Sequence, residues 1–214
     1  MNVFVINLAK RKDRLEYMMR QLGAFERVEA VDGSKVKDPS VSRFRFWCSK
    51  GYGVKPGEIG CVLSHQHVCR LIVERGLDVA CVLEDDVRVC EGFEKRIDEL
   101  GAALRTDAPM VIVFAETTAG YLINRRGAQL MMTLNRPIRS TADDWWRWER
   151  AGLKWRFVDG VLTIPQYGDP SAVGIERSDI IGDARHFAAN MSPLRKVLFK
   201  LGRVVGKAVD WLCP

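Results

Sequence analysis

Residues 79–86, Val-Ala-Cys-Val-Leu-Glu-Asp-Asp, run five apolar residues straight into three consecutive carboxylates. A short continuous apolar run of this kind reads as a strand buried on both faces of a sheet. The carboxyl end of such a strand is where open α/β sheets bind their ligands. Glu84, Asp85 and Asp86 would repel one another there, and a divalent cation is the simplest remedy. Hard oxygen donors suit Mg²⁺ or Mn²⁺, which bridge to phosphates, so the motif points to chemistry on a nucleoside diphosphate compound. The plainer alternative is a solvated acidic turn after a core strand.

Other candidates gather around this motif. Asn7, Arg11 and Arg14 follow a first apolar strand whose carboxyl end should border the same crevice. Arginines suit a diphosphate through bidentate contacts, but the same pair could simply decorate an amphipathic helix. Asp32-Gly33 closes a second strand, and its acid could hold a ribose or only a turn. The segment Gly57-Glu58-Ile59-Gly60-Cys61-Val62-Leu63-Ser64-His65 carries two glycines within one helical turn. That is costly for a helix and implies close backbone approach to a ligand or to the sheet. Ser64 and His65 end this segment and join the donor-binding candidates, although a packed histidine is the ordinary reading. His65 and His67 are two apart and make a poor metal pair. Asp143-Asp144 precedes Trp145, Trp146 and Trp148, which resembles a sugar-binding wall. The alternative is a helix start with two acids complementing the dipole and tryptophans packed as core.

These residues require an alternating framework. Strands are expected over 3–8, 27–31, 79–83, 110–114, 120–123, 155–158 and 161–164, and helices over 13–22, 56–75, 93–104, 125–134 and 143–151. Residues 34–55 read as one long polar, glycine-containing loop. The alternation argues for a three-layer α/β sandwich with a mostly parallel central sheet. No GxGxxG follows the first strand and no GxxxxGK[ST] occurs, which disfavours a dinucleotide dehydrogenase or a P-loop ATPase.

The 214 residues suffice for one sizeable core, and 47% apolar with 28% charged residues is ordinary globular usage. Six cysteines form no CxxC pair, and several lie in apolar runs, which disfavours a disulfide framework or a zinc site. The amino-terminal residues lack the pattern of a secretory signal, and no run is apolar enough to span a bilayer, so the cytoplasm is expected. Much of the net charge of +6 sits in residues 192–214, where Arg195, Lys196, Lys200, Arg203 and Lys207 face Asp210 alone. The rest is near neutral, so no nucleic-acid partner is expected. Leu194, Val197, Leu198, Leu201, Val204, Val205, Ala208 and Leu212 recur there at helical spacing. A basic amphipathic helix over 191–214 reads as lying on a membrane surface, or else as docked on the domain formed by 1–190.

Taken together, Val5-Ile6-Asn7-Leu8 with Arg11 and Arg14, Ala30-Val31-Asp32-Gly33, the 57–65 segment, Leu83-Glu84-Asp85-Asp86-Val87, Gly120-Tyr121-Leu122-Ile123 with Gly127-Ala128, and Asp143-Asp144 resemble glycosyltransferase family 25. Its members include bacterial lipooligosaccharide transferases related to collagen galactosyltransferases. The resemblance covers roughly residues 3–166 and implies a GT-A-like, Rossmann-like fold. It implies a UDP-sugar donor, commonly UDP-galactose, a glycan or lipid-linked acceptor, Mn²⁺ (or Mg²⁺), and inversion at the anomeric carbon. Glu84 and Asp86 would stand at the metal- and ribose-binding acids, with Asp85 beside them, and Asp143 or Asp144 would be the acceptor-site base. Residues 87–120 form a shorter segment than is usual in the family. Two further expectations stay open: an inactive nucleotide-sugar- or glycan-binding subunit of an assembly complex, and a nucleotidyltransferase. The tail would hold the protein on the cytoplasmic face of the inner membrane.

Overall fold

The computed structural model describes residues 1–165, apart from Asp38 and Gly51. In chain order the elements are β1 (Asn2–Asn7), α1 (Lys12–Met19), β2 (Glu26–Glu29), α2 (Arg43–Lys50), α3 (Pro56–Glu74), β3 (Val79–Glu84), β4 (Arg88–Val89), α4 (Phe93–Ala102), β5 (Met110–Val113), β6 (Gly120–Asn124), α5 (Arg125–Leu134), α6 (Trp145–Arg150), β7 (Lys154–Phe157) and β8 (Leu162–Thr163). A single 3-10 turn covers Gly33–Lys35.

Six strands form one sheet in the order β2-β1-β3-β6-β5-β7, and β4 pairs with β8 beside it. β1 is parallel to β2 and β3, and β7 is parallel to β5. β6 is antiparallel to both neighbours, because the short link 114–119 cannot hold a crossover helix and must turn back. Five carboxyl ends therefore share one edge, and the amino end of β6 joins them: Leu83 pairs with Gly120, and the Glu84 N–H donates to Ala119 O at 2.9 Å.

Strand alternation divides the core. Val3, Val5, Cys81, Leu83, Ile112 and Leu122 face α1 and α4, where Met18, Phe93, Ile97 and Leu100 meet them. Phe4, Ile6, Ala80, Val82, Val111, Val113 and Ile123 face α3, α5 and α6 through Val68, Ile72, Ala128, Met131, Trp145 and Trp148. The sheet is thus covered on both faces, as its near-continuous apolar strands require, each buried Leu, Ile or Val contributing about 1.5–3 kcal/mol. A third cluster of Phe46, Ile59, Val62, Ile138 and Ala142 joins α2 to α3 outside the sheet.

Residues 34–55 are not one loop. They carry the 3-10 turn and α2, whose Phe46 is fully buried and meets Tyr52 edge-on at 5.9 Å. The sequence Arg-Phe-Arg-Phe-Trp alternates with period two and hides the helix, which tertiary packing stabilises instead. The tryptophan helix is shorter than expected, with Asp144 at its N-cap; Trp145 and Trp148 are core and only Trp146 is exposed. The amphipathic helix expected over 191–214 lies outside the described residues. Among the described residues no helix is long and apolar enough to cross a membrane.

Candidate functional site

A cleft of about 480 Å³ opens at the shared carboxyl edge, between the ends of β1, β2 and β3 and the first turns of α3. Packing at its back is backbone on backbone. A Cβ on Gly60 would strike Val31 O and lie 2.9 Å from Gly33 N, and one on Gly33 would overlap Pro56 O. Gly60 and Gly33 thus serve the approach of α3 to the turn after β2. Ser64 locks the same contact, accepting from Val31 N at 2.8 Å and donating to Gly60 O at 2.7 Å. Glu58 fixes the helix start: its carboxylate accepts from Lys55 N at 2.8 Å and from Tyr52 Oη at 2.5 Å. Asp32 caps the 3-10 turn through Ser34 N and Oγ, and this hydroxyl bond holds its carboxyl below the usual range.

The three carboxylates after β3 are handled separately. Asp85 turns onto Arg14 Nη1 at 2.9 Å and Asn7 Nδ2 at 2.7 Å, all three side chains buried. Burial raises its proton affinity, with Arg14 and Asn7 pulling against it. Asn7 is further committed to Arg11 O and Arg27 Nε. Arg14 Nη1 also lies 3.2 Å from Asp86. Glu84 accepts from Thr118 Oγ1 at 2.7 Å and faces His65 Nε2 at 3.3 Å. Burial would raise its pKa, but His65, Thr118 and Arg14 together hold it below the ordinary value. His65 Nδ1 meets Tyr121 Oη at 2.9 Å, and Nε2 carries hydrogen toward Glu84 because an ionised carboxylate only accepts. Asp86 differs: burial and the charges of Glu84 and Asp85 push it up to about 7, against the pull of Arg14.

The repulsion that suggested a cation is therefore answered largely by protein groups, and the three acids do not converge. Among the described residues, the His, Cys, Asp and Glu atoms that do come within 4.8 Å of one another as a group of three belong to Cys61, His65 and Glu84. Cys61 Sγ lies 3.7 Å from Thr118 Oγ1, and burial, with the Glu84 charge next, keeps its thiol well above the usual pKa.

Of the residues singled out in the sequence, the cleft brings together Arg14, Asp32, Ser64, His65, Glu84, Asp85 and Asp86. Arg11 does not reach it, because its guanidinium binds Asp13 at 2.8–3.0 Å. Asn7 lies beneath it, holding Asp85. Asp144 is buried between α2 and α6, bonded to Ser140 Oγ and within 3.4–3.6 Å of Arg147 and Lys50. Asp143 is half-buried and close enough for its charge to raise Tyr52 and Cys61. Lys10, Lys55 and Thr118 are not singled out by the sequence, and Cys61 and Tyr121 enter it only within longer segments, with no role of their own. The Cys61 and His65 spacing of i, i+4 was the one available signal; Thr118 and Tyr121 are brought in by the β3–β6 register, and Lys10 and Lys55 by the turns after β1 and before α3.

The fold is that of an α/β protein with a cleft, lined in part by charged side chains, at the carboxyl edge of a mostly parallel sheet. Residues 1–113 match glycosyltransferase family 25 (LPS biosynthesis protein), more than half of the 214 residues, and the chain belongs to that family. It is 30% identical over 168 residues to procollagen galactosyltransferase 1 of Danio rerio, covering 61% of this chain and 28% of that protein. It is 38% identical over 109 residues to human procollagen galactosyltransferase 2, covering 46% and 17%. Human inactive glycosyltransferase 25 family member 3 is 37% identical over 109 residues, covering 46% and 18%. The chain thus spans between about a sixth and just over a quarter of these relatives' length.

Proposed function

We propose that this chain is a metal-dependent glycosyltransferase with a GT-A-like domain over 1–190, moving a sugar, with galactose the leading candidate, from a UDP-sugar to a glycan acceptor with inversion. The observation that carries the proposal is Asp86: a carboxylate lining the cleft beside Glu84 and Asp85, raised to about 7 by burial first and by their negative charge next. Such a group has a surplus that a cation can relieve, and Glu84 beside it has an oxygen to which no described residue hydrogen-bonds. Two carboxylates, with phosphate and water completing the shell, fit Mg²⁺ or Mn²⁺. The names of the galactosyltransferase relatives support the transfer class and the donor.

Asp86 and Glu84 would hold the ion. When bound, it supplies Lewis acidity to diphosphate oxygens and so favours departure of UDP. Lys10 and Lys55 bring positive charge to the cleft wall, where the diphosphate would lie. Asp32, held in place by Ser34, would accept from ribose hydroxyls. Arg14 and Asn7 act by fixing Asp85, which keeps the end of β3 in one conformation. Asp143 is the better placed of the two later acids to take the acceptor proton, because Asp144 is consumed by Ser140, Lys50 and Arg147. A lipid-linked saccharide acceptor agrees with the family description, and the basic residues 192–214 would keep the protein on the inner-membrane surface near it.

UDP release from UDP-galactose, measured with Mn²⁺ and with chelator, tests the reaction. Turnover indifferent to chelator, or an Asp86→Ala variant at full rate, overturns it. Human family member 3 is named inactive, which favours a second reading as a nucleotide-sugar-binding subunit. Calorimetry that finds donor binding without turnover across acceptors would select that reading. Equal vesicle sedimentation with and without residues 192–214 would remove the membrane role.

A further inference from the structure

Cys61, His65 and Glu84 form a cluster whose chemistry differs from that of a hard-cation site. One ligand atom from each lies within 4.8 Å of the others, and all three line the cleft. We propose that these residues form a second metal site, for a thiophilic divalent cation of the zinc class.

The geometry supports this at three points. His65 Nε2 and Glu84 Oε1 are 3.3 Å apart, about the edge that tetrahedral angles impose on zinc–nitrogen and zinc–oxygen bonds of about 2.0–2.1 Å. Cys61 and His65 project from the same face of α3 at i, i+4, so one rigid helix presents sulfur and nitrogen together. The outer partners are also present. Tyr121 Oη engages His65 Nδ1 at 2.9 Å and leaves Nε2 to face the ion, while Thr118 Oγ1 orients Glu84 from 2.7 Å. On binding, the Cys61 thiol gives up its proton to solvent, the His65 hydrogen relocates from Nε2 to Nδ1, where it donates to Tyr121 Oη, and the ion takes the sulfur and Nε2 lone pairs. Three protein ligands leave a fourth position directed into the cleft, as in sites that keep one place for an exogenous donor. Glu84 would be shared by this ion and the proposed Mn²⁺ ion, and repulsion between two divalent cations on one carboxylate opposes their joint occupancy. Zinc should therefore inhibit turnover, a consequence that rests on the reading of the function given above.

Cobalt(II) is the probe, because its thiolate charge-transfer and tetrahedral ligand-field bands report the ligands directly. The full chain, reduced and stripped of metal, is titrated with Co²⁺ and then with Zn²⁺. The site predicts both sets of bands, and their loss when zinc displaces cobalt. Cys61→Ser should abolish the charge-transfer band. His65→Gln should weaken cobalt binding more than tenfold, and Tyr121→Phe about 10–100-fold with an unchanged circular dichroism spectrum. A variant with Cys48, Cys90 and Cys213 all replaced by serine should keep the bands. Their absence in the wild type, or a charge-transfer band that survives in folded Cys61→Ser, overturns the site; if Cys61→Ser does not fold, unaltered bands in His65→Gln do so. Asp86→Asn separates the two readings: it should lose Mn²⁺-dependent UDP release and keep the cobalt bands. Bands without any turnover in the wild type count against the transferase alone, and turnover without bands against this site alone.

Discussion

Asp86→Asn should make the metal-free protein more stable at neutral pH. The folded carboxyl titrates at about 7 against an ordinary value of 3.8, so between these limits the native state binds more protons than the unfolded chain. Stability must then fall as pH rises through that window, the reverse of the usual salt-bridged aspartate. Three pH units correspond to at most about 4 kcal/mol. The side chain is 20% exposed, and solvent screening reduces this to roughly 2–4 kcal/mol above pH 7. Asparagine keeps an oxygen for Arg14 and removes the charge. With chelator present, the variant should exceed wild type by that amount at pH 8 and by less than about 2 kcal/mol at pH 5. For a chain of this size the difference at pH 8 is roughly 5–15 °C in Tm. Thermal and urea unfolding at both pH values give the answer. Mn²⁺ at about a hundred times its Kd should then stabilise wild type by about 2.7 kcal/mol and the variant by little. Parallel pH profiles for the two proteins, or a variant less stable at pH 8, would refute the reasoning.

Arg14→Met should cost about 3–5 kcal/mol in urea unfolding, because it leaves Asp85 buried without its cation; a second change, Asp85→Asn, should recover much of the loss. Gly60→Ala should destabilise by about 1–3 kcal/mol or more and weaken UDP binding, since the added methyl meets Val31 O and Gly33 N; Gly53→Ala, with open space around it, should change stability by less than about 0.5 kcal/mol in the same assay. Asp144→Asn should lose about 1–3 kcal/mol through Lys50 and Arg147, whereas Asp143→Asn should keep its Tm and lower kcat about 100-fold or more at unchanged donor KM.

The sheet was legible where strands are apolar throughout. β1 and β3 read directly from the sequence, and α5 has the bounds its spacing indicates. α3 was marked by Pro56 at its first turn and Gly76 beyond its end. What the sequence hid depends on contacts distant along the chain. α2 is held by Phe46 against Ile59, Val62 and Ile138 rather than by a stripe of its own. β8 falls within the strand expected over 161–164, but its partner β4, joined through Val89 to Leu162, is two residues long and has no pattern to read. At the site, the acidic motif located the cleft, but residue type could not say how each acid is balanced. Arg14 is supplied from α1, and Thr118 reaches Glu84 through the β3–β6 register.

That balance also separates the groups that build the cleft from those left to act in it. Glu58, Ser64, Asp85, Asn7 and Asp144 each spend their polar atoms on the protein, and each ties two elements or a helix end. Such residues set where the walls stand, and their loss should appear first as lost stability. Asp86 is held above its normal titration range by burial and by charges the fold itself has placed, and among the described residues one Glu84 oxygen has no hydrogen bond. Folding alone does not require such an arrangement, since a neutral side chain at 86 would cost less. The acid is understandable when something of opposite charge arrives to meet it. Because Arg14 already restrains Asp85 and Asp86, the cleft does not need that arrival in order to form, and a cation would find its ligands positioned beforehand.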